Sequence, residues 1–183
     1  MKELSLNILD IAENSVKAGA KNVKIELHET DETFEFSVTD DGCGMKGEML
    51  ERVTDPFCTS RTTRKVGMGI PFLKLAAEQT GGHMKITSRF AGEYPENHGT
   101  VTSALFYKNH IDFTPLGDVI SSITTLIHGS PDIDFLFTHD LPDGRQVRLD
   151  TKELREILGD VSLSNPEVIM WIKEFLSEQY YNG

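Results

Sequence analysis

Residues 34–45, FEFSVTDDGCGM, form the stretch around which the fold is predicted. Its apolar residues fall at every second position, as in a half-buried strand: Phe34, Phe36 and Val38. The strand ends at Asp40, and the next residues form a turn in which Gly42 and Gly44 allow another surface to come close. A carboxylate fixed beside bare backbone can accept a hydrogen bond from a planar ligand. An ordinary Asp-Gly turn has the same sequence pattern, so this stretch needs support from the rest of the chain.

Composition limits the classes of protein that fit. The chain has 183 residues, of which 38% are hydrophobic and 26% charged, which is typical of one globular domain with or without an appendage. No apolar run reaches membrane length and no signal peptide begins the chain, so we expect a cytoplasmic protein. The net charge of −11 argues against nucleic acid or an anionic membrane as the main partner. The two cysteines, Cys43 and Cys58, do not make a disulfide framework.

An amphipathic helix is predicted over residues 2–18, and it has two distinct faces. Its apolar stripe consists of Leu4, Ile8, Ile11 and Ser15. A polar stripe contains Asn7, Asp10 and Asn14 at positions i, i+3 and i+7. Amide and carboxylate oxygens are hard ligands that suit Mg²⁺, although a merely polar face would also fit this pattern.

The segment after this helix predicts a hairpin, two helices and two further strands. The predicted elements are strands at 23–28 and 34–40, a short helix at 46–52, a helix from 67–69 to 81–82, and strands at 83–89 and 100–107.

Residues 53–69, VTDPFCTSRTTRKVGMG, lack apolar periodicity and concentrate hydroxyl groups and cations. The hydroxyl residues are Thr59, Ser60, Thr62 and Thr63, and the cations are Arg61, Arg64 and Lys65. The stretch ends in Gly67-Met68-Gly69, where a helix is predicted to begin. Free N–H groups and the helix dipole favour an anion at such a helix start. The stretch is therefore interpreted as a phosphate cradle with a basic lid, and a solvated surface loop is the alternative.

These segments together resemble a known family. Residues 1–107 resemble the ATP-binding domain shared by sensor histidine kinases, the B subunit of type II topoisomerases, a heat-shock chaperone and the MutL mismatch-repair proteins. Five sequence boxes occur in the family's order: LDIAENSVKAGA (9–20), DDGCGM (40–45), DPFCTSR (55–61), GMGIPFLKLAAEQTGG (67–82) and HGT (98–100). The resemblance implies an α+β fold, a two-layer sandwich in which a mixed, largely antiparallel sheet has helices on one face.

The resemblance also implies ATP and Mg²⁺ as ligands and assigns roles to residues. Asn14 would bind Mg²⁺, Asp40 would accept a hydrogen bond from the adenine amino group, and Thr100 would support adenine binding. Further residues implied to contact the nucleotide are Gly42, Gly44, Met45, Phe57, Thr59, Ser60, Arg61, Arg64, Lys65, Gly67, Met68 and Gly69. Which of the lid cations would neutralise the γ-phosphate is left open.

The sequence departs from the family pattern in ways that bear on catalysis. In the hydrolysing members a Glu one helical turn before the metal-binding Asn activates water, and here that catalytic position is Asp10. Its side chain is one methylene shorter, so slow hydrolysis is expected if there is any. The second glycine box lacks its usual leading Gly, and Lys65 stands nearby. We also expect no dimerisation helices with a phospho-acceptor His before residue 9, and no transducer domain.

Residues 108–183 lie outside the resemblance and are predicted to be a folded α+β extension of unknown role. A helix is expected from Thr114-Pro115 to Gly129, then a strand around Ile133–Phe137, a turn at 141–144 and a return strand. A short helix capped by Asp150 and a last helix starting at Asn165-Pro166 follow. The apolar stripe expected on the last helix is Val168, Trp171, Ile172, Phe175 and Gln179. This segment either packs on the first domain or offers a docking surface for a partner or a second copy.

Three functions remain open on these grounds. The first is a stand-alone kinase that phosphorylates a partner protein. The second is a non-catalytic switch that binds ATP and passes the change to a partner. The third is a slow, MutL-like ATPase.

Overall fold

The computed structural model describes residues 3–55 and 69–182. The helices in these ranges are α1 (Leu4–Lys17), α2 (Gly47–Val53), α3 (Gly69–Gln79), α4 (Val119–Gly129), α5 (Thr151–Leu158) and α6 (Pro166–Tyr181). The strands are β1 (Asn22–Glu29), β2 (Thr33–Asp40), β3 (His83–Arg89), β4 (Gly99–Tyr107), β5 (Asp134–Asp140) and β6 (Gln146–Asp150). Every predicted helix and strand is present, with the boundary shifts given below.

The strands form one six-stranded sheet in the order β3-β4-β2-β1-β5-β6. All neighbouring pairs are antiparallel except β1 and β5, which run parallel. The predicted hairpin of β1 and β2 is confirmed, with Ile25 opposite Val38. The predicted fold class, a mixed and largely antiparallel sheet with helices, is therefore confirmed.

The core lies on one face of this sheet. Alternate strand residues such as Ile25, Phe36 and Ala104 are almost completely buried, and Leu4 and Ile8 of α1 pack into the same cluster. The larger of these side chains, those of Leu, Ile and Phe, contribute about 1.5–3 kcal/mol each when fully buried. The period-two pattern of the strands and the helical spacing in α1 thus meet in a single core.

The C-terminal part continues the sheet. β5 pairs with β1 over its whole length, from Asn22 opposite Asp134 to His28 opposite Asp140. α4 packs against both α1 and α6. Because no break in the sheet separates residues 1–107 from 108–183, the functional division at residue 107 stays a prediction.

The start of α4 was predicted incorrectly. The helix begins at Val119, with Asp118 as its N-cap accepting a hydrogen bond from Ser121 N at 2.9 Å. Pro115 lies before the helix, and its carbonyl accepts a hydrogen bond from Leu4 N at 2.9 Å. The segment before α4 is thus used to satisfy free N–H groups at the start of α1, where helix donors lack partners within the helix.

The stripe predicted on α6 was partly wrong. The residues buried in the core are Val168, Ile172 and Leu176, which follow one another at intervals of four. Trp171 is 46% exposed, and its ring stacks on Phe175 at a centroid distance of 5.0 Å. The spacing of four residues keeps one narrow line of the helix facing inward, and Trp171 lies beside that line.

Gln179 of α6 has a role in the sheet that its predicted place in an apolar stripe does not suggest. Its Oε1 accepts a hydrogen bond from Arg148 N at 2.9 Å, and its Nε2 donates to Arg148 O at 3.1 Å. A side-chain amide thus pairs with the backbone of the edge strand β6 as a neighbouring strand would.

The predicted starts of the last two helices are confirmed. Asp150 accepts a hydrogen bond from Lys152 N, and Asn165 accepts one from Glu167 N.

In the described residues, no helix combines the length and the apolarity that a membrane span requires.

Candidate functional site

The carboxylate of Asp40, at the end of β2, is held in place by two donors. Ser15 Oγ donates to Asp40 Oδ2 at 2.5 Å, and Gly42 N donates to Asp40 Oδ1 at 2.9 Å. Ser15 is 4% exposed and lies on the sheet-facing side of α1. Short hydrogen bonds to an ionised carboxylate are among the stronger ones in proteins. Since a carboxylate offers about four acceptor positions, Asp40 retains capacity for a donor from a ligand.

Two hydroxyl groups lie in the same row of the sheet as Asp40. The strand register places Asp40 opposite Thr100 and Thr100 opposite Ser88. Thr100 Oγ1 and Ser88 Oγ are 2.8 Å apart, and Met45 N donates to Ser88 Oγ at 2.8 Å. Three neighbouring strands therefore bring polar side chains together at one end of the sheet, beside the glycine turn.

The turn itself is fixed to neighbouring segments. The imidazole Nδ1 of His98 lies 2.5 Å from Gly42 O. Cys43 N donates to Ala18 O at 2.9 Å, and Cys43 O accepts from Ala91 N at 2.8 Å. The turn is consequently clamped between the end of α1 and the segment that follows β3.

Gly44 is required by the packing of the protein. It has a φ of +67°, and a Cβ at this position would overlap with the carbonyl oxygen of Arg89. A glycine is the residue that adopts this conformation without a steric penalty. Its presence is thus explained without a ligand, and the contact with adenine expected for Gly44 stays a prediction.

Asp41 has a different role from its neighbour Asp40. Its carboxylate accepts hydrogen bonds from Lys21 N at 2.7 Å and from Asn22 N and Nδ2 at 2.9 and 2.8 Å. Partial burial raises the pKa of Asp41, but the hydrogen bonds from Asn22 and Lys21 outweigh it and leave the pKa below its usual value. The second acid of the pair therefore fastens the connection between α1 and β1.

The polar stripe of α1 presents three side chains with different exposure. Asn14 is exposed, Asp10 is half-buried, and Asn7 is buried with 8% of its surface exposed. A Cβ on Gly69 would overlap with Asp10 Oδ2, so the start of α3 lies directly against this carboxylate. The N-terminus of a helix favours a negative charge, which suits both Asp10 and an anionic ligand at this point.

The donor set on α1 fits a magnesium ion that is shared with a ligand. In the part of the chain that the structure describes, no group of three or more His, Cys, Asp or Glu side chains could hold a metal. Mg²⁺ commonly uses one or two protein oxygens and takes its other ligands from phosphates and water. Asn14 and Asp10 supply an amide and a carboxylate oxygen on one helix face. These residues fit such a shared ion and do not form a complete protein cage.

Several predicted site residues cannot be placed. Phe57, Thr59, Ser60, Arg61, Arg64, Lys65, Gly67 and Met68 lie outside the described residues, as does Cys58. Of the predicted residues that are described, one group gathers at one end of the sheet: Asp40, Gly42, Gly44, Met45 and Thr100. Asp10 lies against Gly69 where α1 meets α3, and Asn14 lies one helical turn further along α1.

Sequence reasoning missed three residues that organise the site. Ser15 was assigned to the apolar stripe of α1, Ser88 to an alternating strand, and His98 had no assigned contact. A signal was available for the two serines, because each is a hydroxyl residue at a position where the pattern calls for an apolar side chain. No pattern in the sequence pointed to the contact of His98 with Gly42.

A groove of about 350 Å³ meets this cluster only at Asp40. Its lining includes Lys24, Thr39 and Leu136, which alternate with the core residues and so point away from the helices. Asp40 also borders the groove, but its carboxylate is bonded to Ser15 on the helix side. The hydrogen bond from Ser15 thus places the Asp40 carboxylate on the helix side of the sheet.

Two solved structures resemble this fold. The ATPase domain of Aquifex aeolicus MutL, complexed with ADP, superposes with a TM-score of 0.56 at 17% identity and covers 86% of this chain and 69% of its own. The N-terminal domain of a DNA repair protein gives a TM-score of 0.53 at 15% identity and covers 86% of this chain and 57% of its own. At these identities the likeness concerns the fold alone. It takes in part of the C-terminal segment, since 86% of the chain extends beyond residue 110.

Two sequence matches cover the first part of the chain. A protein described as a candidate sensor protein from Shewanella frigidimarina (strain NCIMB 400) is 27% identical over 89 residues, which are 48% of this chain and 14% of that protein. This chain therefore matches only a small part of the curated relative's length. The family model of the histidine kinase-, DNA gyrase B- and HSP90-like ATPases matches residues 2–110. This match spans more than half of the chain and contains both the Asp40 cluster and the polar face of α1, so the chain belongs to the histidine kinase-, DNA gyrase B- and HSP90-like ATPase family.

Proposed function

We propose that this protein binds Mg-ATP between α1, the end of β2 and the start of α3, and that it acts as a kinase-type regulatory protein on a partner protein. The observation that carries the proposal is the anchoring of the Asp40 carboxylate by Ser15 and Gly42. A carboxylate that is oriented before the ligand arrives selects a ligand with a matching donor.

Asp40 is the adenine-reading residue in this proposal. Its free acceptor positions would take a hydrogen bond from the exocyclic amino group of the base. Thr100, which lies opposite Asp40 in the sheet, would support the same edge of the base through its hydroxyl group. A base with a carbonyl group in place of that amino group would leave the carboxylate without its donor, which is unfavourable when the groups are buried.

Asn14 and Asp10 form the phosphate end of the proposed site. The metal, when bound, would neutralise charge on the phosphates and hold them in position. Asn14 would supply an amide oxygen to it. The start of α3, which lies against Asp10, would direct free backbone N–H groups towards the phosphates.

The C-terminal part is proposed to carry the partner interaction. Trp171 and Phe175 stack on the outer side of α6, and Met170 beside them is 59% exposed. Exposed aromatic side chains are common anchors of protein interfaces. The partner would be a phospho-acceptor protein, a regulated protein or a second copy of this chain. Nucleic acid and membranes are not proposed partners, given the net charge of −11. The protein is proposed to work in the cytoplasm, where ATP is available.

The proposal is tested with labelled ATP and purified protein. In the presence of Mg²⁺ and a cell extract, we expect transfer of the γ-phosphate to one or a few proteins, and no such labelling with the Asp40→Asn variant. Saturable ATP binding without labelling of any protein would leave the nucleotide site standing and favour a non-catalytic switch.

A second candidate is slow hydrolysis of ATP, and a specific observation favours it. Asp10 stands one helical turn before Asn14 with its carboxylate directly against Gly69. It is thus a carboxylate at the phosphate end of the proposed site, where a general base would be needed. Release of ADP by the purified protein without any partner would support this candidate.

A further inference from the structure

Asn7 contains a buried acceptor that no other described residue uses. The residue belongs to α1 and is 8% exposed. Its Oδ1 has no hydrogen-bond partner among the described residues. Buried polar atoms in proteins almost always have a partner, and an exception requires an explanation such as a bound water, an ion or a catalytic role. Polar side chains on a solvated helix face need no partner from the protein, because water forms hydrogen bonds with them.

The position of Asn7 connects it with Asp10. The two residues are three positions apart and therefore lie on the same face of the helix. Asp10 in turn lies against Gly69, at the phosphate end of the proposed site. The Oδ1 of Asn7 and the carboxylate of Asp10 are both acceptors, so neither can satisfy the other. A group that bridges them must donate twice, and a water molecule has two O–H donors.

We propose that Asn7 is a positioning residue that holds, together with Asp10, the water that attacks ATP. This inference rests on the proposed nucleotide site and deepens its hydrolytic form. Asp10 is one methylene shorter than glutamate, and the water held by Asn7 makes up for the lost reach. The amide orients the water through one O–H, and Asp10 accepts the other proton.

The chemical step that this arrangement serves is hydrolysis of the terminal phosphate. The water oxygen forms a bond to the γ-phosphorus, and the bond from that phosphorus to the bridging oxygen breaks. The bonding electron pair leaves with ADP, and the water proton passes to the Asp10 carboxylate. The products are ADP and inorganic phosphate, so no further reactant is needed.

The test compares Asn7→Leu with the wild type and with Leu6→Ala, a substitution of the exposed neighbouring residue. Leucine has nearly the shape of asparagine without its polar atoms. We expect Asn7→Leu to keep the thermal midpoint of the wild type or raise it, because an unpaired buried polar group is removed. Its dissociation constant for Mg-ATP should stay within about threefold, whereas kcat for ADP release should fall about tenfold to a hundredfold, as for a misplaced reactant. Leu6→Ala should change none of these quantities.

A second substitution separates positioning from a merely structural effect. Asp10→Glu adds the methylene group whose absence the water bridge compensates. The double variant Asn7→Leu/Asp10→Glu should therefore have a kcat within about threefold of the wild type. A double-mutant cycle measures this coupling between the two residues. If Asn7→Leu does not fold, Asn7→Ser and Asn7→Ala are compared by the same measurements. Serine keeps an acceptor and leaves room for water, so Asn7→Ser should retain more turnover than Asn7→Ala.

Three results would overturn the inference. One is wild-type turnover in Asn7→Leu, or in Asn7→Ala if the leucine variant does not fold. Another is failure of the double variant to recover the kcat of the wild type to within about threefold. The third is a wild-type protein that binds Mg-ATP and releases no ADP. All three leave nucleotide binding intact. Failure of the wild type to bind ATP at all would instead refute the proposed function.

Discussion

Ser15 Oγ lies 2.5 Å from Asp40 Oδ2, which joins the last turn of α1 to the last residue of β2. Through this bond the helix that carries Asn14 is tied to the strand that carries Asp40. The two ends of the proposed nucleotide site, the base and the phosphates, are therefore coupled by one buried hydroxyl group.

Removing this hydroxyl group should weaken nucleotide binding without unfolding the protein. Hydrogen bonds to charged groups contribute about 1.5–3 kcal/mol, and 1.4 kcal/mol corresponds to a factor of ten. We expect Ser15→Ala to weaken Mg-ATP binding about tenfold in a calorimetric titration. Ser5→Ala is the matched control, since Ser5 is equally buried in α1 and does not contact Asp40. Equal affinities for both variants would contradict this role of Ser15.

Asn14 should control the response to magnesium. If its amide oxygen helps to hold the ion, Asn14→Ala should bind ATP with the same affinity in Mg²⁺ as in EDTA, whereas the wild type should bind more tightly in Mg²⁺. The control is Glu13→Ala, which alters the neighbouring half-buried residue and its ion pair with Lys17 at 3.7 Å. An undiminished magnesium effect in Asn14→Ala would remove Asn14 from the metal site.

Asp41 should contribute stability that depends on pH. Burial raises the pKa of Asp41, but the hydrogen bonds from Asn22 and Lys21 together lower it by more than burial raises it. The folded-state pKa therefore lies below the unfolded value of about 3.9. The contribution is therefore present above the unfolded pKa and is lost as the pH falls through the folded-state pKa. In urea unfolding, Asp41→Asn should be less stable than the wild type at pH 7, and the difference should shrink towards pH 3. A stability difference that grows as the pH falls would show that the pKa of Asp41 is shifted in the opposite direction.

Tyr180 should stabilise the attachment of α6 to β5. Its hydroxyl group lies 2.8 Å from Nδ1 of His139, which is 1% exposed. The other ring nitrogen, Nε2, lies 3.3 Å from a carboxylate oxygen of Glu29. Tyr180→Phe should lower the free energy of unfolding by about 1–3 kcal/mol, because a buried ring nitrogen loses its partner.

The matched control for Tyr180 is Tyr181→Phe, because Tyr181 is 81% exposed. This change should stay within about 0.5 kcal/mol. Similar effects of the two substitutions in chemical denaturation would argue against a special role of the His139 contact.

Much of the fold was predictable because its elements have clear periods. Phe34, Phe36 and Val38 alternate as a buried strand does, and Leu4, Ile8 and Ile11 mark one side of a helix. Local patterns do not reveal contacts between distant segments. They therefore gave no sign that β5 pairs with β1 and extends the same sheet.

The start of α4 shows the same limit. Thr114-Pro115 is a favourable helix start by itself, yet the chain there is used to bond with α1. Asp118 was the better N-cap, and only the tertiary contact of Pro115 with Leu4 decides between the two.

One contact of the candidate site lies within a motif that is continuous in sequence, because Gly42 N donates to Asp40 Oδ1. The nucleotide-binding roles of these residues stay predictions. The contacts of Thr100, Ser15 and Ser88 join segments that lie far apart in the chain. Such bonds depend on strand register and helix placement, which no short motif encodes.

The most direct test of the central claim is a calorimetric titration of Mg-ATP and Mg-GTP into the wild type, Asp40→Asn and Asp41→Asn. We expect saturable binding of one ATP to the wild type, much weaker binding of GTP, and loss of ATP binding in Asp40→Asn. Asp41→Asn should still bind ATP, because Asp41 fastens the backbone at Lys21 and Asn22 and does not face the proposed base. Equal binding of Mg-ATP by the wild type and Asp40→Asn would contradict the role of Asp40 as the adenine-reading residue.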